Sequence, residues 1–154
     1  MKRNYLKFAV LALGALPLVA CSEDDDNTDE SIITAQELPE AAQSFLSTHF
    51  PQAEVSRVEM NTTADNDGSI YEVDLSNNFE IDFTAEGTWV DIDGNDQELP
   101  EGIVPANISA YLSQNYPDLV ITGIDTETNG YEIDLSSDLD VQFDAEGNFV
   151  REEK

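Results

Sequence analysis

From residue 38 onward the chain alternates between two hydrophobic rhythms. Between Pro39 and Pro51, Ala42, Phe45, Leu46, His49 and Phe50 fall at the three-and-four spacing of a single helix face. Helical signals begin slightly earlier, at Thr34-Ala-Gln-Glu37. Pro39 suits a first helical turn, and the residue before Pro51 is pushed out of the α region, so the predicted helix stops there. The period then falls to two. Val55 and Val58 open an uneven strand, and Asn61 to Ser69 is rich in turn residues. Tyr71, Val73 and Leu75 alternate with Glu72 and Asp74, and Phe79, Ile81 and Phe83 alternate with Glu80 and Asp82. Ser76-Asn77-Asn78 and Ala85-Glu86-Gly87 read as tight hairpin turns. Trp89 to Ile92 is a fourth strand.

The pattern then returns. Pro105 to Pro117 matches Pro39 to Pro51 at an offset of 66, with Ile108, Tyr111, Leu112, Asn115 and Tyr116 on the helix face. Tyr131-Glu-Ile-Asp-Leu-Ser136 matches Tyr71-Glu-Val-Asp-Leu-Ser76, and Phe143 to Val150 matches Phe83 to Val90, both at an offset of 60. Strands are expected at Leu119 to Asp125, Tyr131 to Leu135, Leu139 to Phe143 and Phe149 to Glu152. The expected fold class is α+β, a tandem repeat of one helix and four antiparallel strands with the helices on one face. An antiparallel sheet covered on one side shows this apolar-in, polar-out alternation.

The N-terminus changes the picture of where the chain resides. Lys2, Arg3 and Lys7 precede an apolar run from Phe8 to Val19, too short to span a bilayer comfortably and typical of a signal peptide. The run ends at Leu18-Val19-Ala20-Cys21, which resembles a bacterial lipobox, and Cys21 is the chain's single cysteine. The resemblance implies cleavage before Cys21 and lipidation of it. Residues 1–20 are therefore read as a lipoprotein signal, and 21–33 as an acidic, disordered tether. The run Ser22-Glu-Asp-Asp-Asp26 within that tether looks like the surface-export signal of Bacteroidota lipoproteins. An outer-membrane lipoprotein facing outward is expected, with the periplasmic face as the alternative. Residues 34–95 and 96–154 are the two repeats.

Charge excludes further classes. After Ala20 only Arg57, Arg151 and Lys154 stand against all 33 acidic residues, a formal charge of −30. No basic patch exists for nucleic acid. Cations and proteins with basic surfaces are the electrostatically natural partners. With Cys21 used as an anchor there is no thiol for a disulfide, a metal or catalysis.

Catalytic signals are few. His49 is the only histidine, at the edge of a packed helix face, and its counterpart is Asn115. No Gly-x-Ser-x-Gly motif or phosphate-cradling loop is present, and no enzyme is expected. Asp65-Asn-Asp-Gly68 has the core of a calcium loop, which makes Asp65 and Asp67 the candidate metal ligands. Its would-be first and twelfth positions, Thr63 and Asp74, depart from the loop's ligand pattern. Asp91-Ile-Asp-Gly-Asn-Asp96 is a second oxygen-rich turn. No cofactor is expected beyond weak association with Ca²⁺.

The candidate binding surface is the polar sheet face, with Glu72, Asp74, Glu80, Asp82 and Asp91 followed by Glu132, Asp134, Asp140 and Gln142. In each of Trp89-Val90 and Phe149-Val150 one member should turn away from the helices. Trp89 or Phe149 on the acidic face would supply an aromatic anchor.

The lipobox, the duplicated helix-plus-four-strand order, the Phe/Tyr-Pro helix ends and Phe143-Asp-Ala-Glu-Gly-Asn-Phe-Val150 together resemble the PepSY-like, β-lactamase-inhibitor-like family. The resemblance runs from about Leu38 to Glu152. It implies a fold like the β-lactamase inhibitor protein and no established activity. Two functional readings follow. One is a protein- or peptide-binding module, with hydrolase inhibition as its sharpest form. The other is a Ca²⁺-responsive structural lipoprotein without a specific protein partner. The sequence leaves the oligomeric state open.

Overall fold

A computed structural model describes residues 30–154. The signal segment, Cys21 and most of the expected tether lie outside the described residues. The chain begins with β1 (Glu30–Ile32) and a 3-10 turn at Ala35–Glu37, then runs through α1 (Glu40–His49), β2 (Val55–Asn61), β3 (Tyr71–Leu75), β4 (Glu80–Phe83) and β5 (Trp89–Asp93). It continues with α2 (Ala106–Asn115), β6 (Ile121–Glu127), β7 (Gly130–Leu135), β8 (Leu139–Asp144) and β9 (Phe149–Glu153). Among the described residues, nine strands form one antiparallel sheet in chain order. The fold of the described residues is thus α+β, with two helices on a single sheet.

Local chemistry explains the element ends. The Thr34 backbone N–H and hydroxyl both donate to Glu37 Oε2 at 2.8 Å, which pins the 3-10 turn. Pro39 and Pro105 occupy the N-cap positions, and Phe50 and Tyr116 the C-caps. Asn78 adopts φ 64° in the β3–β4 turn. In the β4–β5 turn Gly87 has φ 81°, and a Cβ there would come within 2.8 Å of Ala42 N. Glycine lets this hairpin lie against the start of α1.

The sheet's helix side is one apolar rung after another. Val58, Val73, Ile81, Ile92, Ile124, Ile133 and Val141 stand directly opposite their neighbours across β2 to β8. Each is buried to 1% exposure or less. Ala42, Leu46 and Phe50 of the first helical segment, and Ile108 and Leu112 of α2, cover this ladder. Full burial of each such aliphatic side chain stabilises the fold by about 1.5–3 kcal/mol. The connection between the halves carries Leu99, Ile103 and Val104 into the same core. The β5–β6 pairing, Asp91 to Asp125 and Ile92 to Ile124, makes the halves share one sheet.

One expectation about the N-terminal segment is corrected. The tether was expected to extend through residue 33, but Glu30–Ile32 pair with Asn61, Met60 and Glu59 of β2. The pairing satisfies the backbone groups along the outer edge of β2, a gain available even to a charged segment.

Candidate functional site

The other side of the sheet is a row of carboxylates. Glu59, Glu72, Asp82, Asp91, Asp125 and Glu132 stand directly opposite one another across β2 to β7, and Gln142 and Arg151 continue the row. A second row runs Arg57, Asp74, Glu80, Asp93, Gly123, Asp134, Asp140, Glu153. Like charges directly opposed in a sheet destabilise it by roughly 0.2–1 kcal/mol per pair. The first row alone contains five such oppositions.

The electrostatic consequence peaks at the centre. Asp91 is pushed up to about 9, first by burial and then by the charges of Asp125 and Asp82. Asp134 is pushed up to about 7 by burial, with Asp125, Asp140 and Glu132 adding to it. Asp125 rises to about 6, burial outweighing a hydrogen bond with Asp91 that acts in the opposite sense. At neutral pH protonated Asp91 donates that bond to Asp125. Glu72 is also raised, by burial and then by Glu59 and Asp74.

Two groups of three carboxylates converge, with one oxygen from each residue within 4.8 Å of the others: Glu72, Glu80 and Asp82, and Asp125, Glu132 and Asp134. Gln142 Nε2 donates to Glu132 Oε2 at 2.7 Å and orients it. Arg57 lies on the first-half side, paired with Glu59, with Glu72 at 3.4 Å and with Asp74 at 3.6 Å. Oxygen-only donor sets of this kind suit hard cations.

Among the expected site residues, Glu72, Asp74, Glu80, Asp82, Asp91, Glu132, Asp134 and Asp140 all share these two rows. Glu59, Asp93 and Asp125 belong with them as well, although strand alternation alone does not mark them. Asp125 and Glu59 correspond at the offset of 66 that aligns the helices, which was the available signal.

The two aromatics lie elsewhere. Trp89 pairs with Phe83, and its ring lies 6.4 Å from that of Phe45 on α1. Phe149 pairs with Phe143 and stacks on Tyr111 of α2 at 5.2 Å. Both belong to the helix side, which corrects the expectation of an anchor on the acidic face. The cause is a register shift at Asp82/Phe83, repeated at Gln142/Phe143, where Val90 and Val150 are the extra residues. A bulge breaks the alternation and re-aims the side chain.

Asp65 and Asp67 also behave differently from a calcium loop. Asp67 Oδ1 accepts from the Ser69 N–H at 3.0 Å and from its hydroxyl at 2.8 Å, and Asn61 donates to Asp65 at 3.2 Å. Neither residue enters a three-carboxylate group among the described residues. Asn66 and Asp67 instead face Asp125, Thr126, Glu127 and Thr128 across a polar cleft of about 430 Å³. His49 packs against Phe45 in a tilted arrangement, ring centres 4.6 Å apart, as a half-buried boundary residue.

Comparison with known proteins agrees with this architecture. Residues 69–151 match the family described as "Putative beta-lactamase-inhibitor-like, PepSY-like". A Bacteroides thetaiotaomicron structure described as a "putative calcium-regulated periplasmic protein" is 29% identical, with TM-score 0.75, covering 82% of this chain and 98% of that one. Two Bacteroides vulgatus structures described as putative periplasmic proteins are each 28% identical. Their TM-scores are 0.74 and 0.75, over 82% and 81% of this chain and 98% and 99% of theirs. No curated protein matches the sequence. The family match spans more than half of the chain, and the chain belongs to the PepSY-like family.

Proposed function

We propose that this protein is a lipid-anchored envelope protein, built from two copies of one helix-plus-four-strand unit, whose open sheet face binds Ca²⁺. The observation that carries the reading is the row of directly opposed carboxylates from Glu59 to Glu132. Such a row costs stability unless protons or cations neutralise it. The 29% identical relative described as calcium-regulated supports the same ligand. Anchoring through Cys21 rests on the lipobox; in fractionated cells, Cys21→Ala should move the protein from the membrane to the soluble envelope fraction.

The test is thermal unfolding of the chain from Cys21 to Lys154, chelated and then titrated with Ca²⁺, Mg²⁺ or NaCl at matched ionic strength. A hundredfold excess over Kd stabilises by about 2.7 kcal/mol, on the order of 10 °C for a domain of this size. Ca²⁺ should reach that rise, and NaCl should not. Equal curves in all three salts would rule the reading out.

A protein partner on the same face is the second reading, favoured by the formal charge of −30 after Ala20. Trp89 and Phe149 do not serve it as anchors, so charge alone would have to recruit the partner. Capture of a basic envelope protein that chelation strengthens would support it, since Ca²⁺ would then compete for the same carboxylates.

A further inference from the structure

The two halves place three acids in the same register around different residues. In the first half Arg57 stands opposite Asp74, and Glu59 opposite Glu72. In the second half Gly123 stands opposite Asp134, and Asp125 opposite Glu132. Sequence offsets of 66 and 60 match Arg57, Glu59, Glu72 and Asp74 with Gly123, Asp125, Glu132 and Asp134. In the first half the three carboxylates hold a cation, the Arg57 guanidinium, which bridges to all of them. The second half keeps all three carboxylates and removes the guanidinium. A Cβ on Gly123 would lie 2.6 Å from Asp134 Oδ2, so the carboxylate occupies the space a side chain would fill.

We infer that Asp125, Glu132 and Asp134 form a specific Ca²⁺ site in which the ion takes the role that the Arg57 guanidinium plays in the first half. The site deepens the calcium reading above and rests on it. One carboxylate oxygen from each of the three residues lies within 4.8 Å of the others, close enough for a single ion to reach all three. Carboxylates from two neighbouring strands give an irregular oxygen set, which Ca²⁺ accepts with its flexible coordination and Mg²⁺, with its near-ideal octahedral demand, does not. Three carboxylates supply fewer oxygens than the six to eight that Ca²⁺ takes. Asp93 opposite Gly123, and water, are the available complement. Gln142 holds Glu132 by one oxygen and leaves the other for the ion. In the first half the matching position is Asp82, which faces Glu72 across β3 and β4. The second half has therefore exchanged one acid for an orienting amide.

The experiment is calorimetric Ca²⁺ titration of the chain from Cys21 to Lys154, with circular dichroism on every variant. The wild type should bind one ion at the specific site. Arg57→Gly should create a second site and raise the stoichiometry to two. Gly123→Arg should abolish the first by supplying a built-in guanidinium. Asp134→Asn, which alters only one side-chain atom, keeps the test independent of whether Gly123→Arg folds, and it should weaken binding at least tenfold. Tight binding with an unchanged constant in Asp134→Asn and an unchanged stoichiometry in Arg57→Gly would overturn this site while leaving a calcium-binding face elsewhere. No calorimetric or thermal response to Ca²⁺ in the wild type would overturn both readings together.

Discussion

The first half of the sheet closes with β5, Trp89-Val-Asp-Ile-Asp93, and the second with β9, Phe149-Val-Arg-Glu-Glu153. The two strands begin with the same bulge and then diverge. Ile92 is fully buried between Ile81 and Ile124, whereas Glu152 stands on the same rung beside Val141 and accepts a hydrogen bond from the Tyr116 hydroxyl at 2.6 Å. Val90 is 8% exposed and Val150 55%. On the acidic side Asp91 faces Asp125, while Arg151 ends the row beside Gln142. A strand that receives a neighbour carries apolar residues toward the helices and acids toward the open face. A strand that ends the sheet puts a charge on each side. Inward-pointing charge on a last strand is a known guard against edge-to-edge association. A few side chains thus decide whether a strand of this kind is an interior element or a terminus.

The largest effect expected from breaking this comparison comes from giving β5 the edge strand's charge. Ile92→Glu places a carboxylate in the middle of the apolar ladder with no partner, at a cost on the order of 4 kcal/mol or more. Denaturant titration should show a chain that is largely unfolded or has lost cooperativity. The reciprocal change, Glu152→Ile, should leave the fold intact and make sedimentation concentration-dependent, because β9 then offers an unguarded apolar edge. Equal tolerance of the two changes would mean that the rungs are not distinguished as described.

Much of this architecture was legible in the sequence. The duplicated phrases placed two helices and eight strands, and the Pro and Gly-containing turns placed their ends. What escaped notice has physical reasons. β1 sits in a segment whose charge suppresses any strand signal, and its pairing is a gain contributed by β2. Trp89 and Phe149 begin strands as one of two adjacent apolar residues. Alternation cannot choose between such residues when a bulge intervenes, although the pair itself marks the place. A local loop motif points to Asp65 and Asp67, whereas the converging carboxylates come from neighbouring strands, β3 with β4 and β6 with β7. Register, which needs the turns and bulges counted together, brings them into two adjacent rows.

Next in size is the pH dependence of the acidic face. Asp91, Asp125 and Asp134 have folded values near 9, 6 and 7, all above the ordinary 3.8. Between its unfolded and folded values each group binds more protons in the folded state, so stability falls as pH rises through that window. Their favourable contribution is complete below about pH 4 and is lost progressively toward pH 9. Glu37 and Asp144 act in the opposite sense, because hydrogen bonds hold both below the usual carboxylate range. In chelator, Tm should therefore decline from pH 5 to pH 9 by on the order of 5–10 °C. Asp91→Asn should flatten most of that slope. A Tm that climbs toward pH 9 would contradict the burial of these acids.

A smaller effect separates the two carboxylate corners. Arg57 is 42% exposed, so solvent screens its three ion pairs and discounts their strength. Arg57→Met should destabilise by about 1 kcal/mol, chiefly by leaving Glu59, Glu72 and Asp74 facing one another. The loss should shrink as salt rises from 0.05 to about 0.5 M, because the Debye length falls several-fold. Chemical denaturation with urea, which leaves ionic strength unchanged, is the appropriate measurement. A loss that stays constant with salt would assign Arg57 a packing role instead.

The smallest expected change tests the two faces of the sheet against each other. Trp89 is the single tryptophan, and it lies on the helix side with Phe45 and Phe83, while the converging carboxylates lie on the other side. Ca²⁺ bound to Asp125, Glu132 and Asp134 acts through the sheet on an indole that keeps its neighbours. Its emission maximum should shift by no more than about 2 nm on saturation, a bound set by the screening and distance that weaken a charge's influence across the fold. The thermal midpoint of the same sample, followed by the same fluorescence, should rise. That combination, a still spectrum and a moving midpoint, is what binding to the opposite face requires. A large spectral shift at constant temperature would place Trp89 on the cation's own side and undo the bulge-based assignment.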